Sequence, residues 1–577
     1  MYILGINAYH ADSSSAIFKD GVMIAATEEE RFRRIKHWAG FPSMAIEFCL
    51  REAGITLNDL DHIAIGRDPK AKINKKIAFL LKNPGGGWNA VLDRISNARK
   101  VSSLENEFAK IQPLNKSVIK KKIYYVEHHR SHLASAFFAS PFEEAALLSI
   151  DGSGDFTTTM IGIGKGNKIE VLDSLDFPHS AGIFYSAFTQ LLGFPHYGDE
   201  YKVMGLAPYG EPRYVEQLKE VLQFTDDGLF KLNLKYFRSA KSGIISYGED
   251  HVPVVAPLYS DLMIQKFGAV RKKDQPLSQY HKDMAASVQR ITEELIFHIL
   301  NHLKKRTGLK NVCIAGGVAQ NSVANGKITR MTGFHNVYIP CAGHDAGISM
   351  GAALWVSNEL LNQPRNKPIW SAYTGAQFSN EEIIVFLKSR NIEFTYYNDE
   401  ELYEKAANRL TNGGVIGWFQ GRAEFGPRAL GARSILADPR RTDAKDLLNA
   451  KIKRRESFRP FAPSILKEYV DEYFEVIDVV PFMEKVFPIR KEKQSIIPAV
   501  THADGTGRLQ SVDKEVSPRY YNLIEKFRQK TGVPILLNTS FNENEPIVNS
   551  PENALDCYLR TQMDMLVLGN LVVERKG

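Results

Sequence analysis

One pattern of strands and loops occurs twice in the first 180 or so residues of this chain, and it limits the possible folds more than any other feature. Residues 2–7, YILGIN, read as a buried strand, AYHADSSS as a polar loop, SAIFKDG as a second strand and turn, and VMIAATEE as a third strand. The same order returns over residues 145–174, with the strand AALLSID, the polar loop GSGDF, the strand TTTMIGIG, the turn KGN and the strand KIEVLDSLD. Repetition at this level predicts an internal duplication, two α/β lobes that each aim a polar loop into a cleft between them.

Two later segments extend the pattern. NVCIAGGVAQNSVAN, 311–325, runs from a short strand through Gly316 and Gly317 past Asn321 into a helix, and PCAGHDAGISMGAAL, 340–354, repeats it. Glycine backbone at a helix N-terminus suits an anion. The paired loops match the architecture of the actin-like (ASKHA) ATPase superfamily, in which nucleotide phosphates lie between two hairpin loops. A fold of that kind does not by itself settle function.

With 577 residues and 44% apolar content the chain is too long for one core and can fill two. The first domain is expected over 1–358, with polar insertions at 82–121 and 226–255. ELLNQPRNKPI, 359–369, reads as a linker, and 370–577 as a smaller mixed α/β domain with strands in GGVIGWF, VPILLNTSF and DMLVLGNLVVE. A net charge of +7 raises the question of a nucleic-acid or membrane partner, but it is small for this length and a basic small-molecule site for phosphates explains it equally well. The four cysteines, Cys49, Cys313, Cys341 and Cys557, show no paired spacing, which points to a reducing cytoplasm. No apolar run approaches the roughly 18 residues needed to cross a bilayer, and no leader pattern opens the chain.

EHHRSHLASAFFAS has helical period, so His128 and His132, four apart, project from one face while His129 points elsewhere. Asp151 ends the strand AALLSID beside Gly152, and Asp345 lies in the second glycine-rich loop, so a two-lobed fold can bring both to the histidines. Two imidazoles with hard oxygens and no thiolate suit Fe(II), Mn(II) or Zn(II). Taken alone, such a histidine pair is as well explained by packing, and Asp151 by loop capping.

From 421 to 464 the sequence GRAEFGPRALGARSILADPRRTDAKDLLNAKIKRRESFRPFAPS is dense in arginine and lysine. A solvated helix face or an RNA-binding surface is the plain alternative. The punctuation favours fixed guanidinium forks, because Arg428 and Arg433 follow proline and glycine and Arg459 sits among apolar residues. Asn538, Ser540 and Asn542 in LLNTSFNENEP, with His502, Asp504 and Arg508 in THADGTGRLQ, complete a candidate nucleotide and acyl-phosphate pocket.

GPRALGARSILADP, KRRESFRPFAPS, THADGTGRLQ and LNTSFNENEPIV carry a family likeness along nearly the whole chain: it resembles the NodU/CmcH/TobZ-type O-carbamoyltransferases. The resemblance implies an N-terminal domain similar to the enzyme that makes threonylcarbamoyl-adenosine in tRNA and a YrdC-like C-terminal domain. It also implies the chemistry: carbamoyl phosphate and Mg-ATP give carbamoyl adenylate and pyrophosphate in the C-terminal domain, and the N-terminal domain passes the carbamoyl group to an alcohol. Carried over by motif, the metal ligands are His128, His132, Asp151 and Asp345, with Fe(II) the expected ion. Lys453 and Arg459 are the catalytic residues of adenylation, and His10 is the base that takes the proton of the acceptor hydroxyl. Arg428, Arg433, Lys453, Arg455, Arg459, His502, Arg508, Asn538 and Ser540 are the expected contacts to nucleotide and carbamoyl phosphate. Gly152, Lys202, Gly316, Gly317 and Asn321 join them in the N-terminal domain.

ATEEERFRRIKH, with Glu29, Arg31 and Lys36, carries a further family motif without an assigned role, and His344 stands where the family often has an acidic residue or glycine. The expected acceptor is a hydroxylated small molecule of secondary metabolism, with neither membrane nor nucleic acid as partner; a homodimer is compatible with all of this. A tRNA-modifying threonylcarbamoyl transferase and an actin-like small-molecule kinase are the competing readings. The fusion of both domains in one chain disfavours the first, and the pairing of His128 with His132 disfavours the second.

Overall fold

The alternating N-terminal runs form the hairpins their period predicts. In the computed structural model, which describes residues 1–82, 103–239, 245–248 and 250–575, β1 (Tyr2–Asn7), β2 (Ser14–Lys19) and β3 (Val22–Glu28) make an antiparallel meander. β4 (His62–Ile65) and β5 (Ile123–Tyr125) add in parallel beside β1. The second lobe repeats this with β6 (Glu144–Gly154), β7 (Thr157–Lys165) and β8 (Lys168–Asp176), followed by parallel strands Asn311–Ala315 and Asn336–Tyr338. Both sheets have the spatial order third, second, first, fourth, fifth strand, so the duplication expected from sequence is present. One detail differs. The strand β6 continues through Gly152–Gly154, expected as loop, with a register shift between Ile150 and Gly154; a bulge of this kind re-aims side chains at a functional edge.

The lobes are joined by close backbone packing. The helix Ile348–Leu354 lies against β1, β2 and the helix His128–Phe137. A Cβ at Gly5 would stand 1.9 Å from the Ser349 carbonyl oxygen, and one at Gly351 would stand 1.9 Å from that of Ser131. The Ser14 hydroxyl donates to the Ala346 carbonyl at 2.6 Å, fastening the first hairpin to the turn that carries Asp345.

The chain divides into two units, Met1–Ile369 and Trp370–Gly577. Residues 359–369, read as a linker, are strapped to the first unit. Arg365 donates to the carbonyls of Phe142, Phe137 and Ser140 at 2.6, 2.8 and 2.9 Å and covers the Phe137 ring, and Asn366 donates to the Asp20 carbonyl at 2.9 Å. Of the expected insertions, residues 83–102, 240–244 and 249 lie outside the described residues; the remainder includes the helices Leu104–Ile111 and Lys116–Lys122 and the strand pair Ile245–Tyr247 and Pro253–Val255.

The second unit is built on a mixed sheet of nine strands among the described residues. At its centre Arg433–Ala437 lies between Ile416–Phe419 and Ile535–Ser540, followed by Ala462–Leu466 and Thr506–Val512. Trp418, Tyr520 and Phe527 are buried in its core. Among the described residues no helix is long and apolar enough to cross a membrane.

The contact at Gly5 makes a direct test. Gly5→Ala should destabilise the first unit by about 2 kcal/mol, the usual cost of overpacking a tight core, read as a lower urea midpoint; an unchanged midpoint would mean the helix does not approach β1 this closely.

Candidate active sites in the two units

In the first unit the four residues expected to ligate a metal converge. His128 and His132 are on one face of the helix His128–Phe137, and each Nε2 lies 3.2 Å from Asp151 Oδ2. Asp345 Oδ1 completes the group at 3.4 Å from His132 Nε2 and 3.7 Å from His128 Nε2. All four side chains are buried, and their donor atoms lie within 4.8 Å of one another. Metal–ligand bonds of about 2.0–2.2 Å set neighbouring donors roughly 3.0–3.6 Å apart, so the spacing fits a common ion. Asp345 Oδ1 also has no hydrogen-bond partner although it is buried, as a ligand oxygen should.

The electrostatics agree with that fit. Burial and the neighbouring Asp151 push the Asp345 carboxyl up, but His10 and His132 pull it down to about 2. Burial lowers the His132 imidazole, and the two carboxylates outweigh this and raise it to about 9. Two adjacent buried carboxylates demand positive charge. An imidazolium supplies it, and a divalent cation would supply it while satisfying all four donors.

The shell around this cluster fixes the ligands. Asp151 Oδ1 accepts the backbone N–H of Gly152 at 2.7 Å and of Gly317 at 3.1 Å, which turns Oδ2 to the histidines. Gly152 and Gly317 thus act on Asp151, and Gly154 is required because a Cβ there would meet the His128 ring at 2.1 Å. Asp155, at φ +50°, accepts from His128 N at 3.0 Å and Asp68 N at 2.8 Å and so anchors the first turn of the helix. His129 points away, as its place on the helix dictates: its ring nitrogens lie 2.7 Å from Ser149 Oγ and 3.0 Å from the Thr157 carbonyl.

His10 is at the mouth of the cluster, with Nδ1 2.6 Å from Asp345 Oδ2. Its loop is held in a strained shape. Tyr9 and Asp12 are both at φ +57°, Asn7 Nδ2 donates to the carbonyls of Ala11 and Asp12 at 3.1 Å, and Arg67 donates to the Tyr9 carbonyl at 2.7 Å. Asp12 pairs with His37 at 2.7 Å. Burial raises the Tyr247 phenol to about 12, with Arg67 opposing the rise and Asp345 and Asp12 adding to it. Glu29 and Arg31 have scaffold tasks: Glu29 accepts Ala45 N at 2.8 Å at the start of the helix Ser43–Ala53, and Arg31 pairs with Glu28 at 3.3 Å. Asn321 exchanges two 3.0 Å hydrogen bonds with Gln289, and Lys202 pairs with Asp199 at 2.8 Å.

In the second unit the arginines group around Arg508. Burial, together with Arg428, Arg455 and Arg459, pushes its guanidinium well below the usual range. Like charges gathered this way make an anion site. His502 lies beside them; burial, with Arg508 and Lys445 outweighing Asp504, lowers it to about 4. Lys453 Nζ is buried and donates to Ser540 O at 2.6 Å, Asn542 Oδ1 at 2.7 Å and Asn542 O at 2.8 Å, with Ser540 Oγ at 3.2 Å.

The family models for the carbamoyltransferase N-terminus and C-terminus match residues 2–354 and 407–575. The chain belongs to the carbamoyltransferase family. An uncharacterized protein of Synechocystis is 42% identical over all of this chain and 97% of its own length. Nodulation protein NolNO of Sinorhizobium fredii is 38% identical over 99% of this chain and 80% of its own. Among solved structures, HypF of T. kodakarensis aligns over 63% of this chain and 48% of its own at 15% identity with a TM-score of 0.31.

In this carbamoyltransferase two residues expected at the phosphates have other tasks. Arg433 is fully buried, its Nη1 donates to the carbonyls of Gln420 and Ala432 at 2.8 and 3.1 Å, and its Nη2 donates to those of Ala376 and Gly421 at 2.7 and 3.1 Å. The guanidinium lies 3.6 Å over Phe419, so its charge is spent inside the fold. Asn538 is buried under the 428–433 loop and donates to the Ala429 carbonyl at 3.2 Å, beside Gln510, which donates to Leu430 at 2.8 Å. Glu424 clamps the same loop from the other side, its Oε1 accepting N–H groups of Leu430, Ala432 and Arg433 at 2.7, 2.8 and 3.2 Å. Sequence reasoning passed over Glu424, Asn449 and Asp155, while Asn542, expected in the pocket, meets Lys453.

Two outcomes test these assignments. His132→Ala should lower the divalent metal retained after dialysis, measured by elemental analysis, while Glu216→Gln, at an exposed carboxylate paired with Lys219, should not; equal metal in both would remove His132 from the ligand set. Arg433→Lys should cost about 2 kcal/mol of stability or more, because one ammonium cannot reproduce four charge-assisted hydrogen bonds, and chemical denaturation reads it.

Proposed function

We propose that this carbamoyltransferase is ATP-dependent and acts in two half-reactions, one in each unit. The pairing of a buried His/Asp cluster in one unit with an arginine pocket in the other carries the reading, because a single transfer step has no use for both. In the second, YrdC-like, unit carbamoyl phosphate and ATP give carbamoyl adenylate and pyrophosphate; atom balance requires one water and releases inorganic phosphate. Arg428, Arg455, Arg459 and Arg508 match the phosphate charge, with Lys453, Ser540 and Asn542 as a neighbouring polar group.

In the first, actin-like, unit the hydroxyl of a small-molecule acceptor attacks the carbamoyl carbon, the bond to the adenylate oxygen breaks, and AMP leaves. His10 takes the hydroxyl proton, oriented by Asp345. His128, His132, Asp151 and Asp345 would hold a divalent ion, Fe(II) with Mn(II) and Zn(II) as alternatives, which supplies positive charge for the adenylate phosphate. Nothing in this scheme calls on nucleic acid or membrane, and four free, buried cysteines suit a reducing cytoplasm.

Purified protein with ATP should release pyrophosphate only when carbamoyl phosphate is added, and release without it, or none with both, would overturn the adenylation half. Once an acceptor is in hand, His10→Ala should slow transfer by about a hundredfold and leave pyrophosphate release intact.

A further inference from the structure

The arginine pocket poses a physical problem that Asn449 solves. Mutually repelling guanidiniums swing towards solvent unless something holds them, and a carboxylate that held them would also cancel the charge a phosphate needs. Two other arginines in this unit are held by acids. Arg440 takes both oxygens of Asp438 at 2.7–3.1 Å, and Arg528 takes both of Glu525 at 2.7 Å.

Arg455 is anchored differently. Its Nε donates to Asn449 Oδ1 at 2.7 Å, and its backbone N–H donates to the Asn449 carbonyl at 3.1 Å. Asn449 is 2% exposed, and its Nδ2 faces the carbonyls of Arg459 at 3.3 Å and Ser457 at 3.5 Å. One carboxamide therefore grips the side chain of Arg455 and the main chain of Arg459, two of the three arginines that crowd Arg508. The turn between is strained: Arg454 is at φ +43° and sends its own side chain to Glu543 at 3.2 Å, away from the group. The Phe461 ring lies 4.8 Å from the Arg455 guanidinium, so the fork has an apolar wall as well as a polar anchor. Glu456 stands 3.6 Å from Arg459 Nη1, a looser contact than those of Arg440 and Arg528.

We infer that Asn449 is a positioning residue of the adenylation site, a neutral anchor that aims Arg455 and Arg459 at a bound phosphate without neutralising them. The inference rests on the reading of this pocket as the phosphate site. It accounts for an amide in place of the acid: Asp would have the same size and accept the same bond from Arg455, but would convert the anchor into an ion pair and could not donate to the Arg459 and Ser457 carbonyls.

That difference is the test. Inorganic pyrophosphate is titrated calorimetrically into the full chain as wild type, Asn449→Asp, Asn449→Ala and Arg455→Ala, with melting temperatures alongside, and pyrophosphate release gives KM for carbamoyl phosphate and kcat. Asn449→Asp should stay folded with a somewhat lower melting temperature, because its second oxygen would face the Arg459 and Ser457 carbonyls, and should weaken pyrophosphate by about tenfold or more, as a charge change at a close pair does, raising KM more than it lowers kcat. Asn449→Ala, which adds no charge, should also weaken binding because Arg455 loses its direction. Wild-type affinity in either folded Asn449 variant overturns the inference while leaving the pocket in place. Wild-type affinity in Arg455→Ala overturns the pocket reading itself.

Discussion

Asp151 makes the contact on which the first unit turns. One of its oxygens takes two backbone amides, from Gly152 on its own strand and Gly317 on a neighbouring loop, and the other faces two imidazoles on a helix. A carboxylate divided this way ties segments scattered from residue 128 to residue 317 to one point. Asp345 joins from a turn that the Ser14 hydroxyl fastens to the first hairpin. The close approach of the helix Ile348–Leu354 to β1, possible only because Gly5 carries no side chain, completes the frame. The site is therefore a property of the packed lobes, and its ligands have no freedom to reorganise separately.

The two units bury charge of opposite sign. The first encloses two carboxylates with two imidazoles and so favours a cation; the second crowds guanidiniums around Arg508 and so favours an anion. Each arrangement is costly unless a ligand of the other sign arrives. In both cases the protein meets the cost of assembly with neutral groups. Backbone N–H groups orient Asp151, and the Asn449 carboxamide orients Arg455, so direction is set without spending the charge that binds.

Part of the backbone strain lies at the same places. Tyr9 and Asp12 on either side of His10, Asp155 beneath His128 and Arg454 between Lys453 and Arg455 all have positive φ. Side chains that rarely adopt this conformation are held in it by several hydrogen bonds, which is how backbone strain persists at functional positions. The loop of Arg428 shows the same overdetermination without strain in a side chain, clamped by Glu424 on one side and by Asn538 and Gln510 on the other.

Period and spacing made much of this legible. The twofold strand pattern announced the duplication, the i, i+4 spacing of His128 and His132 put both on one helical face and sent His129 to the sheet, and the aspartates of the glycine-rich loops marked the other two members of the cluster. Local sequence carries such information because strand and helix periods fix which side of an element a residue faces. It does not say what a long polar side chain meets once the chain is folded. Arg428 and Arg433 stand five apart in one motif and look equivalent, yet Arg433 is sealed over Phe419 among backbone carbonyls while Arg428 acts on Arg508. Asn538 and Asn542 likewise part company, one under a loop and one on Lys453. Those choices were decided by tertiary packing, because whether a polar group is a ligand contact or an internal strut depends on which distant carbonyls and charges surround it.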